Sequence, residues 1–284
     1  MAMNKKMNDP GFVNSQYQDS GKLNARIRLH QECSTNPYGW HRWLFDMFSF
    51  PDKDRVLELG CGSGDVWLEN SDRIKQGRDL ILSDRSLNMV AQARINLEET
   101  HYTAQYAGID AGSIPFISDS MDAVIANHML YHVGNLPETL AEIVRILKPE
   151  GVLYASTIGL NHMKELGELM DRLDPLYSGY FDLVDISFSL ENGEEVMKPF
   201  FSDIRMHRYT DSLDVKDPDL LADYILSSRG EQLLPEKQAV LDILRRIMDE
   251  HGGSITIHKD SGVFTARNPQ GMAGVQDSSS TCCP

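Results

Sequence analysis

The sequence predicts an α/β fold built on a doubly wound, mostly parallel sheet of seven strands. Apolar strands alternate with amphipathic helices through the middle of the chain, the first strand runs into a glycine-rich turn, and the second strand ends in a carboxylate. Alternating strands and helices predict parallel pairing with right-handed crossovers. A glycine turn followed by a strand with a terminal acid is typical of nucleoside sites at a sheet edge.

The predicted strands are short apolar or alternating segments, which is the pattern of buried and half-buried strands. They lie at 55–59, 79–83, 104–108, 121–126, 151–157, 201–209 and 254–266. Helices are predicted over 22–33 and 38–48, after Ser86, after Asn135, over 161–180 and 190–200, from Asp217 and from Pro235. The segments near 160–190 and 211–252 interrupt the regular alternation, so we expect them to be helical lid insertions beyond the carboxyl edge of the sheet.

Helix starts and ends are predicted from capping residues, proline and glycine. Ser86 caps one helix, and Asn135 followed by Pro137 opens the next, which stops at Pro149 and Gly151. Apolar residues at helical spacing mark the faces that we expect to be buried. These residues are Trp43, Leu44 and Met47, then Val90, Ala93 and Leu97, then Leu140, Ile143, Val144 and Leu147, and finally Val240, Leu241, Leu244, Ile247 and Met248.

Length and composition limit the classes of protein to consider. The chain has 284 residues, 41% of them hydrophobic, and a formal net charge of −15. We interpret 21–268 as one domain between a flexible arm at 1–20 and a disordered tail at 269–284. The negative charge argues against a nucleic-acid partner, because binding a polyanion needs Lys and Arg. With no signal peptide at the start and no run of ~20 apolar residues, we predict a cytoplasmic protein without a membrane partner.

The cysteines give no sign of a disulfide framework or a zinc site. Cys33 and Cys61 lie in separate elements, and Cys282 and Cys283 are adjacent in the tail. Neither spacing matches a known structural pattern. We therefore expect free thiols and no bound metal, and we interpret the tail pair as solvated, with binding of a soft metal or modification as the alternative.

The turn Gly60-Cys-Gly-Ser-Gly64 indicates which kind of nucleoside the edge can hold. A dinucleotide site has the pattern G-x-G-x-x-G, whose third glycine lets the next helix approach a pyrophosphate. Gly60 and Gly62 fit that pattern, but its third position is Asp65, a carboxylate that would repel a pyrophosphate. No G-x-x-x-x-G-K-[ST] pattern occurs either. The spacing therefore favours a nucleoside without phosphates.

The segment Val56-Leu-Glu-Leu-Gly-Cys-Gly-Ser-Gly64 resembles the first motif of class I S-adenosylmethionine-dependent methyltransferases. The resemblance continues in order through Asp84, 108–116, 121–127 and 147–154, and it covers roughly residues 38–160. It is similar to small-molecule enzymes of the ubiquinone/menaquinone and secondary-metabolite groups. It implies a Rossmann-like fold, S-adenosyl-L-methionine as cofactor, S-adenosyl-L-homocysteine as its product, and a small-molecule acceptor.

The resemblance also implies which residues hold the cofactor. Asp84 would accept hydrogen bonds from the ribose hydroxyls, and Asp110 would bind the adenine amino group. The glycines of the turn would let the backbone approach closely, and the segment before the first strand would close over the site. The predicted cofactor-binding residues are Tyr17, Tyr38, Glu58, Gly60, Cys61, Gly62, Gly64, Asp84, Arg85, Met89, Asp110, Ala111 and Asn127.

The acceptor is expected beside the segment that follows Asn127, because that segment is rich in polar and aromatic groups. The candidate catalytic residues are His128, Tyr131 and His132, and the candidate substrate contacts are Trp40, His41 and His162. Each histidine has an alternative interpretation as a hydrogen-bonded structural group. Transfer of a methyl group from a sulfonium is an in-line displacement, so a base is needed only where the attacking atom must lose a proton.

Two other functions stay open on the sequence. A NAD-dependent oxidoreductase would use the same sheet edge, although Asp65 and the position of Gly64 argue against it. A protein that binds S-adenosylmethionine without transferring its methyl group is the second alternative. The sequence does not indicate whether the acceptor atom is oxygen, nitrogen, sulfur or carbon, and it does not indicate the oligomeric state.

Overall fold

The computed structural model describes residues 20–49, 54–74, 77–173, 186–227 and 236–270. Nearly all of the predicted arm with Tyr17, and the tail from 271 with Cys282 and Cys283, lie outside the described residues. The helices are α1 (Ser20–Cys33), α2 (Trp40–Met47), α3 (Asp65–Leu68), α4 (Leu87–Asn96), α5 (Leu136–Ile146), α6 (Lys164–Leu173), α7 (Gly193–Met197), α8 (Pro218–Ser227) and α9 (Lys237–Glu250). The strands are β1 (Arg55–Leu59), β2 (Asp79–Asp84), β3 (Ala104–Gly108), β4 (Met121–Asn127), β5 (Leu147–Ile158), β6 (Phe201–Val215) and β7 (Ile255–Pro269).

In the described part of the chain, seven strands form one sheet in the order β3-β2-β1-β4-β5-β7-β6. Strands β1 to β5 pair in parallel, and β7 lies antiparallel to both β5 and β6. The order reverses between β1 and β4, and ligands of doubly wound sheets bind outside the carboxyl ends of the strands at such a point. The predicted α/β fold, a Rossmann-like and mostly parallel seven-stranded sheet, is confirmed.

Helices cover both faces of the sheet because the central strands are apolar on both sides. One face packs against α5, and the other packs against α2, α3 and α4. Of the predicted inner residues, Leu44, Ala93, Leu97, Leu140, Ile143, Leu147 and the five in α9 are buried, whereas Trp43, Met47, Val90 and Val144 are half-buried. Burying a large apolar side chain contributes about 1.5–3 kcal/mol, so these faces hold the layers together. Within the described segments, the helices are too short or too polar to cross a membrane.

Strands β5 and β6 are longer than predicted. Leu147 pairs with Met121 directly after α5, and regular pairing resumes only at Val152, so residues 148–151 bulge from the ladder. Strand β6 runs to Val215 rather than 209, because its polar residues continue to pair with β7. Polar and apolar residues alternate in this part of β6, so it lacks the apolar run from which the strand was predicted. The insertion predicted near 211–252 therefore begins inside a strand.

The antiparallel pair of β6 and β7 extends beyond the carboxyl edge of the sheet. Pairing of β5 with β7 ends at Ile158 and Ser261, whereas pairing of β6 with β7 continues to Val215 and Ile255. The overhanging end packs with α1, α6, α8 and α9 around a second apolar core. We call this part the cap; it corresponds to the predicted insertions, of which 174–185 and 228–235 lie outside the described residues.

Candidate functional site

The turn after β1 has a backbone that suits glycine. Gly60, Gly62 and Gly64 have φ angles of +68°, +54° and +81°. This left-handed region costs other residues about 1–2 kcal/mol each. A Cβ on Gly60 would lie 2.9 Å from the Cβ of Met129, whereas a Cβ on Gly62 would meet no atom within 4 Å. The turn is therefore closely packed at Gly60 and open at Gly62.

Asp84, at the carboxyl end of β2, is bonded to this turn. Its Oδ2 accepts a hydrogen bond from the Gly62 amide at 3.1 Å, and its Oδ1 accepts one from the Ser86 amide at 2.7 Å. Burial raises the pKa of the Asp84 carboxyl, although the two amide bonds oppose the effect. Each carboxylate oxygen has a second lone pair, so Asp84 can still accept hydrogen bonds from ligand hydroxyls.

The ends of β2 and β3 form an exposed surface beside Asp84. Asp110 Oδ1 accepts a hydrogen bond from the Gly112 amide at 3.0 Å, and its Oδ2 lies 3.7 Å from Arg85 Nε. Leu87 is 70% exposed, and its Cδ2 lies 2.5 Å from where a Cβ on Gly108 would be. The structure thus brings Arg85 and Asp110 together beside an exposed apolar side chain. Nearby, Ala111 is buried and Met89 is half-buried.

Glu58 supports the turn from inside the protein. The residue is 1% exposed, and its carboxylate accepts a hydrogen bond from Trp67 Nε1 on α3. Burial raises the pKa of Glu58 to about 7, and the Trp67 bond and the charge of His41 only partly offset this rise. A hydrogen bond between β1 and α3 joins the two elements that flank the turn. Glu58, which the sequence predicts as a cofactor-binding residue, therefore lies buried behind the turn.

Asn127 is the last residue of β4 at the switch point, and His128 follows it. Ser156, the partner of Asn127 in β5, donates a hydrogen bond to Asn127 Oδ1 at 2.6 Å and accepts one from the His128 amide at 2.9 Å. His128 has a φ of +51°, which is uncommon for a residue other than glycine. Backbone strain of this kind costs about 1–3 kcal/mol and is concentrated at functional sites.

Aromatic and histidine side chains surround His128. The centre of its ring lies 4.9 Å from that of Trp40, and the rings of Tyr131 and His132 lie 4.4 Å apart. Burial lowers the pKa of His128 to about 3 and that of His162 to about 4. The charges of His162, His41 and His132 also lower the pKa of His128. The structure therefore gathers the predicted acceptor-side residues, and His128 and His162 are neutral at pH 7.

Two of the predicted residues have other partners, and the thiol of a third is unreactive. The Tyr38 hydroxyl donates a hydrogen bond to Asp46 at 2.6 Å, so the structure engages Tyr38 with the following helix α2 rather than with the turn. His41 Nδ1 lies 2.8 Å from a carboxylate oxygen of Glu69. Burial raises the pKa of the Cys61 thiol, which therefore stays protonated and unreactive.

Sequence reasoning missed Tyr209, Asp211 and Lys259. Tyr209 packs against Trp40 and Trp43, with ring centres 5.4 and 5.2 Å apart. The three residues lie on the paired ends of β6 and β7. The available signal was the alternation of polar and apolar residues from 209 to 215, which we interpreted as the start of a helical insertion.

Comparison with known proteins identifies related chains. Residues 57–155 match the family model of a methyltransferase domain. The chain is 30% identical over 116 residues to a demethylmenaquinone methyltransferase of Symbiobacterium thermophilum. This match covers 39% of this chain and 45% of that protein. It is 30% identical over 123 residues to a malonyl-[acyl-carrier protein] O-methyltransferase of Pectobacterium atrosepticum, covering 42% and 45%. The chain thus spans slightly less than half the length of these relatives.

Solved structures share the fold. The YcgJ protein of Bacillus subtilis gives a TM-score of 0.54 at 16% identity, covering 81% of this chain and 98% of that one. A phosphoethanolamine N-methyltransferase 2 of Haemonchus contortus, solved with phosphomonomethylethanolamine and S-adenosylhomocysteine, gives a TM-score of 0.54 at 21% identity. The match covers 90% of this chain and 59% of that one. The resemblance inferred from the motifs is confirmed over the matched domain.

Replacing Glu58 with glutamine should make stability less sensitive to pH. The folded pKa of about 7 lies above the ordinary value of 4.5, so the wild type loses stability as the pH rises from 4.5 through 7. Glutamine carries no charge and still accepts a hydrogen bond from Trp67. Thermal unfolding should show a Tm above the wild-type value at pH 8 and a smaller difference at pH 5.

The control is Glu98→Gln on the surface, which changes the net charge equally. A Tm difference for Glu58→Gln that does not change between pH 5 and pH 8 would contradict the prediction.

Proposed function

Because residues 57–155 form a methyltransferase domain, we propose that the protein transfers a methyl group from S-adenosyl-L-methionine to a small-molecule acceptor and releases S-adenosyl-L-homocysteine. The observation that carries the proposal is the bond between the glycine turn and Asp84 at the sheet edge. This hydrogen bond places the Asp84 carboxylate beside an open backbone turn. The turn lacks the third glycine by which a helix N-terminus approaches a pyrophosphate.

Side chains and backbone at the sheet edge offer hydrogen-bond partners for the ribose, the adenine and the amino-acid end of this cofactor. Asp84 has lone pairs for the ribose hydroxyls, and the exposed Leu87 beside Asp110 offers an apolar surface with an acceptor for adenine. The open space at Gly62 allows close approach to the backbone. Since Asn127 Oδ1 is occupied by Ser156, its amide nitrogen is left to donate to the carboxylate of the amino-acid end.

Positioning is the main task of the protein in this reaction. When bound, the cofactor supplies a methyl group already activated by a sulfonium. Holding two reactants in line can lower a barrier by about 7–11 kcal/mol. A general base works best when its pKa is near the operating pH, and the pKa of His128 is about 3. We therefore assign His128 a positioning role, and keep Tyr131 and His132 as the candidates to take a proton.

The acceptor atom stays open. The names of the similar proteins include demethylmenaquinone, malonyl-[acyl-carrier protein] and phosphoethanolamine as acceptors, and these differ in the atom that is methylated. The domain match covers the cofactor side of the site, whereas the cap lies outside residues 57–155. We propose that the cap selects the acceptor.

The function is tested first by ligand stabilisation. A ligand at 100 times its Kd stabilises a protein by about 2.7 kcal/mol, so S-adenosylhomocysteine should raise the Tm clearly and NAD should not. Release of S-adenosylhomocysteine from S-adenosylmethionine is then measured with a metabolite library. Stabilisation by NAD alone would favour the oxidoreductase. Binding without release for any acceptor would favour the non-methylating alternative.

Asp84→Ala should weaken binding of S-adenosylhomocysteine at least about tenfold, because hydrogen bonds to a charged group contribute about 1.5–3 kcal/mol. Isothermal titration calorimetry measures the change. The matched control is Asp79→Ala at the opposite end of β2, where Asp79 pairs with Arg55 at 3.0 Å. Unchanged affinity in a folded Asp84→Ala protein would remove Asp84 from the site.

A further inference from the structure

The acceptor side of the site contains a buried lysine. Lys259 lies on the overhanging end of β7, and its side chain is 11% exposed. Its Nζ lies 2.7 Å from Asp211 Oδ2, directly opposite on β6, and 5.8 Å from the centre of the Tyr209 ring. A buried charge is costly unless it is well compensated, so a single ion pair is a weak reason to keep a lysine here.

Asp211 has hydrogen bonds that do not involve Lys259. Its carboxylate accepts bonds from Ser34 Oγ and from the amides of Asn36 and Ser212. These hydrogen bonds join the segment between α1 and α2 to β6. The Lys259 ammonium group makes one hydrogen bond among the described residues, so two of its three N–H groups remain for a ligand.

An open groove of about 460 Å³ adjoins the same lysine. Its lining consists of Asn161, Lys164, Glu165, Arg208, His258, Lys259 and Asp260. Both carboxylates are engaged, since Asp260 lies 3.2 Å from Arg208 and Glu165 lies 2.6 Å from His258. Lys164 has no acidic partner in the described segments. The charged groups of the groove that remain available are therefore ammonium donors.

The lysine is also close to the reacting side of the site. Its charge contributes to the lowered pKa of His128 and of His162. Trp40 Nε1 and the Tyr209 hydroxyl are buried without a hydrogen bond of normal geometry to described residues, although the Gly39 backbone lies near the hydroxyl. Burial raises the pKa of Tyr209 to about 12, so the hydroxyl stays a donor. Unsatisfied buried donors indicate a ligand that accepts hydrogen bonds.

We propose that Lys259 binds a carboxylate of the methyl acceptor, assisted by Lys164 and by the buried donors of Trp40 and Tyr209. The aromatic rings of Trp40, Trp43 and Tyr209 contact the apolar body of such an acceptor. A cationic amine in this groove is repelled by the ammonium groups of Lys164 and Lys259. This inference rests on the proposed function, because it assigns the acceptor class of that site.

Three aromatic probes of similar size test the proposal. Benzoate carries one negative charge, benzamide is neutral, and benzylamine carries one positive charge. Each is titrated into protein saturated with S-adenosylhomocysteine, and Kd is measured by ligand-observed NMR. The wild type should bind benzoate about tenfold more tightly than benzylamine, as expected for a hydrogen-bonded charge. Benzoate binding no tighter than benzylamine binding overturns the proposal.

Two variants separate recognition from a structural role. Lys259→Met removes the charge and keeps an unbranched stem, so affinity for benzoate should fall about tenfold while affinity for benzamide stays. Asp211→Asn removes the competing carboxylate, so affinity for benzoate should rise. If the ion pair between Lys259 and Asp211 serves only the fold, both variants should bind benzoate more weakly by the same factor. That result overturns the proposal.

Folding and cofactor binding are measured separately. Lys259→Arg keeps the charge and should keep the preference for benzoate. If Lys259→Met does not fold, the proposal is still tested in two ways. One is the ranking of the three probe affinities in the wild type, and the other is the change in benzoate affinity caused by Asp211→Asn. Calorimetry with S-adenosylhomocysteine on each protein distinguishes the two proposals, because a wild type that does not bind it contradicts the proposed function rather than the role of Lys259.

Discussion

The hydrogen bond between Asp84 and the Gly62 amide is the contact on which the cofactor side of the site depends. It joins the ends of β1 and β2, fixes the carboxylate beside the turn, and requires a backbone that glycine adopts readily. Glu58 and Trp67 hold the same turn from within. The carboxyl ends of parallel strands lie at one edge of the sheet, so Asp110 and Asn127 lie at that edge as well.

The two sides of the site differ in charge. Glu58, Asp84 and Asp110 surround the place proposed for a cofactor that carries a sulfonium and an ammonium group. Lys164 and Lys259 lie on the acceptor side. The rings of Trp40 and Tyr209 lie between His128 and Lys259 and connect the two sides.

Sequence reasoning predicted the fold correctly where the structure follows local chain order. Strands β1, β2 and β4 read as short apolar runs because both of their faces are buried, whereas the edge strand β3 is only partly buried. The predicted site residues at the strand ends follow directly in sequence. It failed for the cap. Asp211 and Lys259 are 48 residues apart and meet only through strand pairing, and their polar neighbours obscure the strands. The environment that sets the basicity of His128 depends on burial by distant elements, which the motif does not contain.

The central claim is that the carboxyl edge of β1 to β4 binds S-adenosylmethionine through the glycine turn. Amide hydrogen exchange, measured with and without S-adenosylhomocysteine, tests this claim directly because exchange reports protection segment by segment. We predict that protection increases at residues 60–64, 84–89 and 110–112 and stays unchanged in β6. Tight binding without added protection of the turn at 60–64, or protection confined to the cap, would contradict the account.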